Sequence, residues 1–551
     1  FYVTVDGAPA NRLPRDERGA YLVLTSPDYA PQVVTLPVAE GLDDGPHVAV
    51  VVAERGWDQW PLVGWEVRRG DPFPFRRWRE PVTAAALLCL AGLAATWRAG
   101  PSRTAPRAAR RGFAAWLWPA AVLTLLTFYL SPWPALTAAA GLALTGLVLW
   151  RLDLGLALVA ATAPFYRYPR PLCGKQFALA EILVLLSLLS WGLRQVGGGR
   201  WRETLRRCNG LDYGVLLFLL TAVAATAWAA HRHVALRELR VMIVEPALFY
   251  LMVRTDESPV WPLIDLFVLG GVLVAVVGLA QYALGVNIIT AEAGFRRLRS
   301  VYGSPNNAGL YLGRVLAVTL AFALFGAGRR RVAYGLAVPL VGLAILLSFS
   351  KGALLLGVPV SLLTLGALAG GRWLWAALGT LAAGAVAVIP LLRTPRFASL
   401  FDPHRGTTFF RLQLWRAAWD MFRDHPWLGV GPDNFLYLYR SRYIRPAAWQ
   451  EPDLSHPHDI LLDFGCRLGI AGLVAGAWME AAFWRLALPL RRLPEPNRRA
   501  LALGLMSSMA GFLAHGLVDA SYFVIDLAFA FALTLGLVQR LAADGTDYRE
   551  E

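Results

Sequence analysis

Residues 260–285 read VWPLIDLFVLGGVLVAVVGLAQYALG, an apolar run with one charged side chain, Asp265. As a helix this run would be about 39 Å long, more than the ~30 Å hydrocarbon core of a bilayer. Comparable runs recur from Val82 to Leu541, and the chain is 56% hydrophobic and only 17% charged. The pattern excludes an ordinary soluble domain and predicts an all-α polytopic membrane protein.

The net charge of +15 comes mainly from arginines in short loops between apolar runs. This distribution is typical of the cytoplasmic loops of membrane proteins. It predicts that the partner is the lipid bilayer and that no nucleic acid binds. We assign four basic clusters to the cytoplasm, at residues 98–111, 194–207, 329–331 and 491–499. Counting apolar runs between them predicts about 13–15 transmembrane helices, the short run 152–165 and the polar run 236–253 being the doubtful ones.

The first 75 residues differ from the rest of the chain. Short stretches of β-forming residues at 2–7, 20–25, 32–36 and 47–52 alternate with Gly, Pro and Asp turns, which predicts a small β-sandwich-like module. The topology places this module outside the cytoplasm, so we expect an export signal or a helix upstream of Phe1.

The expected organisation therefore has four parts. They are an extracytoplasmic β-rich module (1–75), additional N-terminal transmembrane helices (82–176), a transmembrane core (177–541) that includes an extracytoplasmic loop (393–457), and a cytoplasmic tail (542–551). The cysteines Cys89, Cys173, Cys208 and Cys466 are scattered. Their spacing predicts neither a disulfide nor a metal site.

A predicted anion site lies on the outer face before the run that starts near residue 306. Arg296, Arg297 and Arg299 precede Gly303-Ser-Pro-Asn306-Asn307. Backbone N–H groups at a helix N-terminus bind anions, and guanidinium groups bind phosphate oxygens bidentately. The alternative is that these arginines snorkel to the lipid headgroups.

Two further cations lie on the same predicted face. Lys351 follows Ser350 at a turn between two apolar runs, where it is either an interface anchor or a second phosphate ligand. Arg411 begins a segment whose apolar residues have helical spacing. That segment predicts an amphipathic helix on the outer surface, which leaves Arg411 able to point into a cavity.

A histidine pair closes the outer loop, in the sequence Ser455-His456-Pro457-His458-Asp459. A histidine at the water–membrane boundary can act as a general base near neutral pH. We assign this role to His458, which directly precedes an apolar run and is therefore expected to begin its helix, whereas His456 lies before a proline in extended chain. A purely interfacial or helix-capping histidine is the alternative.

Taken in order, these motifs resemble the O-antigen ligase and O-antigen polymerase superfamily. The resemblance rests on Arg299…Gly303-Ser-Pro-Asn-Asn, Ser350-Lys-Gly-Ala, Arg411…Trp415…Pro426-x-x-Gly429-x-Gly431 and His458…Gly469-x-x-Gly472, and it covers about residues 177–541. It implies a GT-C-like fold and inverting, metal-independent glycosyl transfer without a cofactor. The donor would be a glycan linked to polyprenyl diphosphate.

The resemblance also implies roles for individual residues. Arg299 and Arg411 would bind the diphosphate, and His458 would activate the acceptor hydroxyl. The predicted substrate contacts are Arg297, Lys351, Asn306, Asn307, Arg416, Arg240 and His456. The family pattern has Arg where Lys351 stands, which removes a bidentate contact, and Asn where Asp459 stands, an acid that could raise the histidine pKa.

Several functions remain open at this point. The acceptor could be a lipid, another glycan or a protein hydroxyl, so the enzyme could be a ligase, a polymerase or a protein O-oligosaccharyltransferase. A lipid-linked glycan transporter or flippase is the rival class, although such proteins usually show internal repeats that we do not find. A structural anchor for the β module is a third reading. The expected location is the bacterial inner membrane, with the active site facing the periplasm or cell exterior.

Overall fold

The computed structural model describes residues 1–22, 36–43, 45–52, 107–172, 175–198, 206–290, 296–392, 406–449, 451–452 and 454–547. The chain divides into two compact units, Phe1–Arg76 and Arg77–Glu551. The predicted span 82–97, Cys89, Cys173 and most of the predicted strand 32–36 lie outside the described residues.

The N-terminal unit contains small antiparallel sheets. Strand β1 (Tyr2–Val5) pairs with β2 (Ala8–Pro9) and β5 (Ala49–Val52), while β3 (Arg15–Asp16) and β4 (Gly19–Ala20) form a separate hairpin. Two of the predicted strands, 2–7 and 47–52, are thus confirmed. The predicted sandwich is not confirmed, since the described residues bury only a small apolar cluster centred on Val3, Ala10 and Ala20.

The second unit is built from helices. In chain order they are α1 (Arg107–Leu130), α2 (Pro134–Trp150), α3 (Leu152–Thr162), α4 (Leu179–Gly198), α5 (Gly210–Trp228), α6 (Arg232–Glu238), α7 (Glu245–Thr255), α8 (Trp261–Leu284), α9 (Pro305–Phe325), α10 (Gly328–Ser348), α11 (Val358–Ala369), α12 (Arg372–Leu392), α13 (Gly406–Asp424), α14 (Phe435–Leu438), α15 (Ile460–Leu490), α16 (Pro496–Gly516) and α17 (Ile525–Asp547). Short hairpins β6 (Arg170–Leu172)–β7 (Lys175–Phe177) and β8 (Ile288–Thr290)–β9 (Arg296–Leu298) connect some of them.

Seven helices among the described residues are long and apolar enough to cross a membrane, or eight if the bent pair of α2 and the following segment is one span. This confirms the multi-pass helical class. The predicted runs from residue 113 onward do form helices, but the number 13–15 is a finer claim that stays a prediction. The doubtful run 152–165 is bent by 118° from α2, a geometry found in a broken span or a re-entrant loop.

Helix α9 lies at the centre of the unit, where it packs against α10 and α16. Small residues allow the close approach: a Cβ added at Gly504 of α16 would lie 3.0 Å from the Cα of Val318 in α9. Such contacts between small residues are the usual way in which membrane helices pack without a hydrophobic driving force. The α9–α16 pair therefore forms a rigid support for the loops at its ends.

Helix α15 is broken at Gly469, which has φ +66° and ψ −160°. The loop after α13 occupies this break, because Val430 N–H donates to the Cys466 carbonyl (2.7 Å) and Ile470 N–H donates to the Pro426 carbonyl (2.7 Å). A Cβ at Gly429 or Gly469 would collide with the opposing backbone. Two separate glycine motifs of the sequence thus interlock and fix the outer loop onto α15.

Candidate active site

The centre of the candidate site is a histidine–carboxylate pair. Nδ1–H of His458 donates to Oδ1 of Asp519 over 2.9 Å. The Asp519 side chain, in the turn between α16 and α17, is only 5% exposed, whereas the His458 side chain is 24% exposed. With Nδ1 bound to the carboxylate, Nε2 of the imidazole is left to accept a proton, the arrangement required of a general base.

The backbone presents His458 in an unusual conformation just before α15. Its φ is +52°, in the left-handed region that non-glycine residues seldom adopt. The next residue, Asp459, is the N-cap, and its carboxylate accepts from the N–H of Leu462 (2.9 Å). Two expectations therefore need correction: His458 precedes the helix instead of beginning it, and Asp459 caps the helix while Asp519 is the acidic partner of the histidine.

The segment 455–457 is held from both sides. Nη2 of Arg467 donates to the Ser455 carbonyl (3.3 Å), and Nε1 of Trp415 donates to the Pro457 carbonyl (3.0 Å). Arg467 is itself fixed by buried ion pairs with Glu238 and, through Nε at 2.6 Å, with Asp463. Two neighbouring helices and a buried charge cluster thus orient the histidines.

Arg411 lies on α13, one turn before Trp415 and therefore on the same side of the helix. The predicted amphipathic helix is confirmed over Gly406–Asp424. Within the described part of the chain, the half-buried Arg411 forms no direct hydrogen bond or ion pair. It nevertheless acts electrostatically on His456, Glu451 and Asp519, so its positive charge lies beside the histidine pair.

The charges around Asp519 keep its carboxylate ionised. Burial alone raises the pKa of Asp519, but the hydrogen bond from His458 and the charges of His458 and Arg411 outweigh burial, so the pKa falls well below its usual value. Glu451 behaves differently, because burial raises its pKa against the opposing effect of His458 and Arg411. The site therefore holds one firmly ionised carboxylate bound to the imidazole.

His456 is the direct neighbour of His458 in space. The two ring centroids are 4.2 Å apart, and Nδ1 of His456 is 3.0 Å from the Ser455 hydroxyl. Burial, followed by the adjacent imidazole of His458, lowers the pKa of His456 well below its usual value. His456 is thus a neutral imidazole in contact with the His458–Asp519 pair.

The predicted anion segment is ordered by Arg297. Its Nε donates to the Ser348 carbonyl (3.0 Å), and its Nη2 donates to Oδ1 of Asn306 (2.9 Å). Helix α9 begins at Pro305, as expected, with Ser304 as N-cap. Arg297 therefore links β9, the start of α9 and the end of α10.

The corner at residues 348–352 connects this segment with the histidine pair. A Cβ at Gly309 of α9 would lie 3.0 Å from Ser350, and a Cβ at Gly352 would collide with the His515 ring. His515 is close enough to lower the Asp519 pKa. Lys351 lies within this corner, where it also interacts with other groups of the protein.

The remaining predicted residues take different positions. Nε of Arg299 donates to Oδ1 of Asn287 (2.9 Å), and Asn307 lies in the first turn of α9. Arg240 forms ion pairs with Glu245 (3.0 Å) and Glu181 (3.5 Å). Arg416 is exposed on α13. In the described ranges, no hydrogen bond or ion pair joins Arg240 or Arg416 to the histidine pair.

Sequence reasoning missed three residues at the site. Asp519 was detectable as an acid in the short break between the last two apolar runs, where a carboxylate is costly. Arg467 lies inside an apolar run, which is a similar signal. Arg167 carried no signal: its guanidinium lies over Gly303, where a Cβ would collide with it, and only the fold shows this contact.

Comparison with known proteins gives a family match for part of the chain. Residues 315–477 match the model of the O-antigen ligase family, a segment that contains Lys351, Arg411 and His458. The anion segment at 296–307 and Asp519 lie outside the matched residues. No curated protein matches the chain. Residues 315–477 are therefore similar to the O-antigen ligase family, and over this part of the chain the match confirms the resemblance to the O-antigen ligase and polymerase superfamily predicted from the sequence.

Proposed function

We propose that the protein is a glycosyltransferase that moves an oligosaccharide from a polyprenyl-diphosphate carrier to an acceptor hydroxyl on the extracytoplasmic face. The observation that carries this proposal is the His458–Asp519 hydrogen bond of 2.9 Å beside the positive charge of Arg411. It combines a base for a hydroxyl group with a fixed cation for a leaving phosphate. The O-antigen ligase match supports the same general activity.

In the proposed reaction the acceptor oxygen attacks C1 of the donor sugar while the C1–O bond to the diphosphate breaks. Nε2 of His458 takes the hydroxyl proton as the new glycosidic bond forms. The positive imidazolium is stabilised by the ionised Asp519, in a charge-assisted hydrogen bond. A single displacement from the face opposite the leaving group inverts the configuration at C1.

The bond electrons leave with the diphosphate, so this step requires positive charge near the departing oxygen. Arg411 supplies it in our proposal, together with Arg299 on the anion segment. Fixed charges in a site that excludes water stabilise developing charge strongly, since they need no reorganisation during the reaction. We propose that these cations replace a divalent metal, so the transfer is metal-independent and needs no cofactor.

The other predicted contacts divide according to their surroundings. Arg297 and Asn306 hold the anion segment together, and the first turn of α9, with Asn307, offers backbone N–H groups to a phosphate. Lys351 and the exposed Arg167 flank this segment and are proposed as further phosphate contacts. Arg416 and Arg240 are proposed to contact the outer parts of the glycan. Arg240 would do so while its ion pairs with Glu245 and Glu181 hold it in place.

The location and topology belong to the same proposal. We place the protein in the bacterial inner membrane with about 13–15 spans, and the site and the N-terminal module on the periplasmic or outer side. The acceptor is a lipid, a glycan or a protein hydroxyl, all of which use the same donor and base. In this topology the four basic clusters at residues 98–111, 194–207, 329–331 and 491–499 all fall on the opposite side, which supports the orientation.

Reconstitution tests the proposal. The purified chain, incubated with a synthetic polyprenyl-diphosphate oligosaccharide, EDTA and candidate acceptors, should release polyprenyl diphosphate and form a glycoside of inverted configuration, read by NMR of the anomeric proton. Retained configuration, or transfer that stops with EDTA, would contradict it. A deletion strain then identifies the acceptor: loss of chain length with single repeats retained indicates a polymerase, and loss of attachment with polymer retained indicates a ligase.

A further inference from the structure

The histidine pair and Asp519 form a group of potential metal ligands as well as a base. One ligand atom each of His456, His458 and Asp519 lies within 4.8 Å of the other two. The described residues contain no other group of this kind. The proposed transfer uses His458 and Asp519 as its base, and the sequence predicts His456 only as a substrate contact.

We propose that His456, His458 and Asp519 form a binding site for a transition-metal ion of the zinc class, and that its occupation inhibits the transfer reaction. The inhibition rests on the proposed function, whereas metal binding does not. Two imidazoles and one carboxylate are the protein ligands of many zinc sites that keep one position open to water.

The ligand types select the metal. Imidazole suits Zn²⁺, Co²⁺, Ni²⁺ and Cu²⁺, while Mg²⁺, Ca²⁺ and Mn²⁺ prefer sites made of carboxylate, carbonyl and water oxygens. Bonds of about 2.0–2.2 Å require the three ligand atoms to close in slightly from their present separation. The site should therefore discriminate between these two classes of ion.

The surrounding structure holds the ligands ready. The Ser455 and Pro457 carbonyls are bound by Arg467 and Trp415, on either side of His456. Asp519 is buried, and its Oδ1 also accepts from the Ala520 N–H (3.0 Å). Arg411 and Arg467 oppose a cation electrostatically, while the buried carboxylate of Asp519 favours it. The ligand side chains therefore need little reordering when the ion binds, although the two arginines partly offset the attraction of the carboxylate.

Inhibition follows from where the ion would lie. A metal bound by Nδ1 of His458 and by Asp519 would take the place of the proton between them, and the neutral imidazole would then carry its one proton on Nε2, the position of the base. The acceptor hydroxyl then has no base, because His458 can no longer take up its proton. Removal of the ion by a chelator restores the free pair, so the inhibition is reversible.

The test uses the full chain, purified in detergent through a tag without histidine and stripped with EDTA. Titration with Co²⁺ should give visible absorption bands of a nitrogen-coordinated ion at one equivalent per chain. His456→Ala should weaken Co²⁺ binding by at least about 10- to 100-fold, because even the loss of a residue that only hydrogen-bonds to a metal ligand costs this much affinity. The matched control is His425→Ala, another histidine of the outer loop, which should bind Co²⁺ like the wild type.

Transfer assays complete the test. Zn²⁺ should inhibit the wild type and His425→Ala, EDTA should reverse this, and Mg²⁺ should have no effect, while whatever transfer activity His456→Ala retains should resist Zn²⁺. Absence of Co²⁺ bands, equal Co²⁺ binding by His456→Ala, or equal inhibition by Mg²⁺ would overturn the proposed site. If no transfer occurs in any variant, the proposed function fails, and the Co²⁺ titration still decides the metal site.

Discussion

Replacing Asp519 by Asn tests the role of the buried carboxylate. The substitution keeps the size of the side chain but removes the charge that faces Nδ1 of His458 at 2.9 Å. Asn can also donate to Nδ1, which would hold the imidazole in the wrong tautomer, with its proton on Nε2. We expect a large loss of turnover and little change in donor affinity, because Asp519 contacts the histidine and not the proposed phosphate site.

The magnitude follows from two contributions. A charge-assisted hydrogen bond to the imidazolium stabilises that form by about 1.5–3 kcal/mol, which corresponds to about 10- to 150-fold in rate. The wrong tautomer disables much of the remaining base catalysis, which is worth about 10²–10⁴-fold. We therefore expect kcat to fall by about 10²–10⁴-fold, or about 2.7–5.5 kcal/mol in the activation barrier.

The assay is single-turnover transfer from a synthetic polyprenyl-diphosphate donor, with donor binding measured separately. Asp459→Asn is the matched control, since it makes the same chemical change in the residue next to His458. Asn is as good an N-cap as Asp, so this variant should retain near wild-type turnover. Wild-type turnover in folded Asp519→Asn, or an equal loss in both variants, would refute the assignment of Asp519 as the partner of the base.

Three further predictions follow from the site and its topology. Arg411→Ala and Arg299→Ala should each lower transfer by about 10²-fold or more, and Arg→Lys should also be costly because the bidentate fork is lost; near-normal turnover in a properly inserted variant would reduce the residue to a structural role. His456→Ala should keep most of the activity in metal-free buffer, and a dead variant would favour His456 as the base. In intact cells a membrane-impermeant thiol reagent should label Cys173 and spare Cys208, and the reverse pattern would overturn the proposed orientation.

The sequence was sufficient for the helical class and for the positions of most helices. Apolar runs report directly on burial in lipid, so α8 and α9 lie within a few residues of the predicted runs. Helix α16 shows the limit of this signal, because its mean hydropathy is modest while its residues 500–509 are all buried. Its burial comes from packing against α9, and local composition does not contain that information.

The candidate residues His458 and Arg411 were predictable from the sequence, because ionisable side chains stand out beside apolar runs. The partner of His458 was not, because Asp519 is 61 residues away and reaches the histidine only through the packing of α16 and α17 beside α15. The sequence-based prediction instead named the nearer acid, Asp459, as the group that acts on the histidine, because adjacency in sequence is visible without a structure. Its N-cap geometry turns that carboxylate to the backbone of Leu462 instead.

Turnover of His458→Ala in the presence of EDTA decides whether His458 is the general base of a metal-independent transfer. Wild-type and variant protein are compared for donor binding and for release of polyprenyl diphosphate coupled to glycoside formation. We predict equal donor affinity, full wild-type activity without metal, and a loss of about 10²–10⁴-fold in the variant. Transfer by His458→Ala at the wild-type rate would show that His458 is not the base.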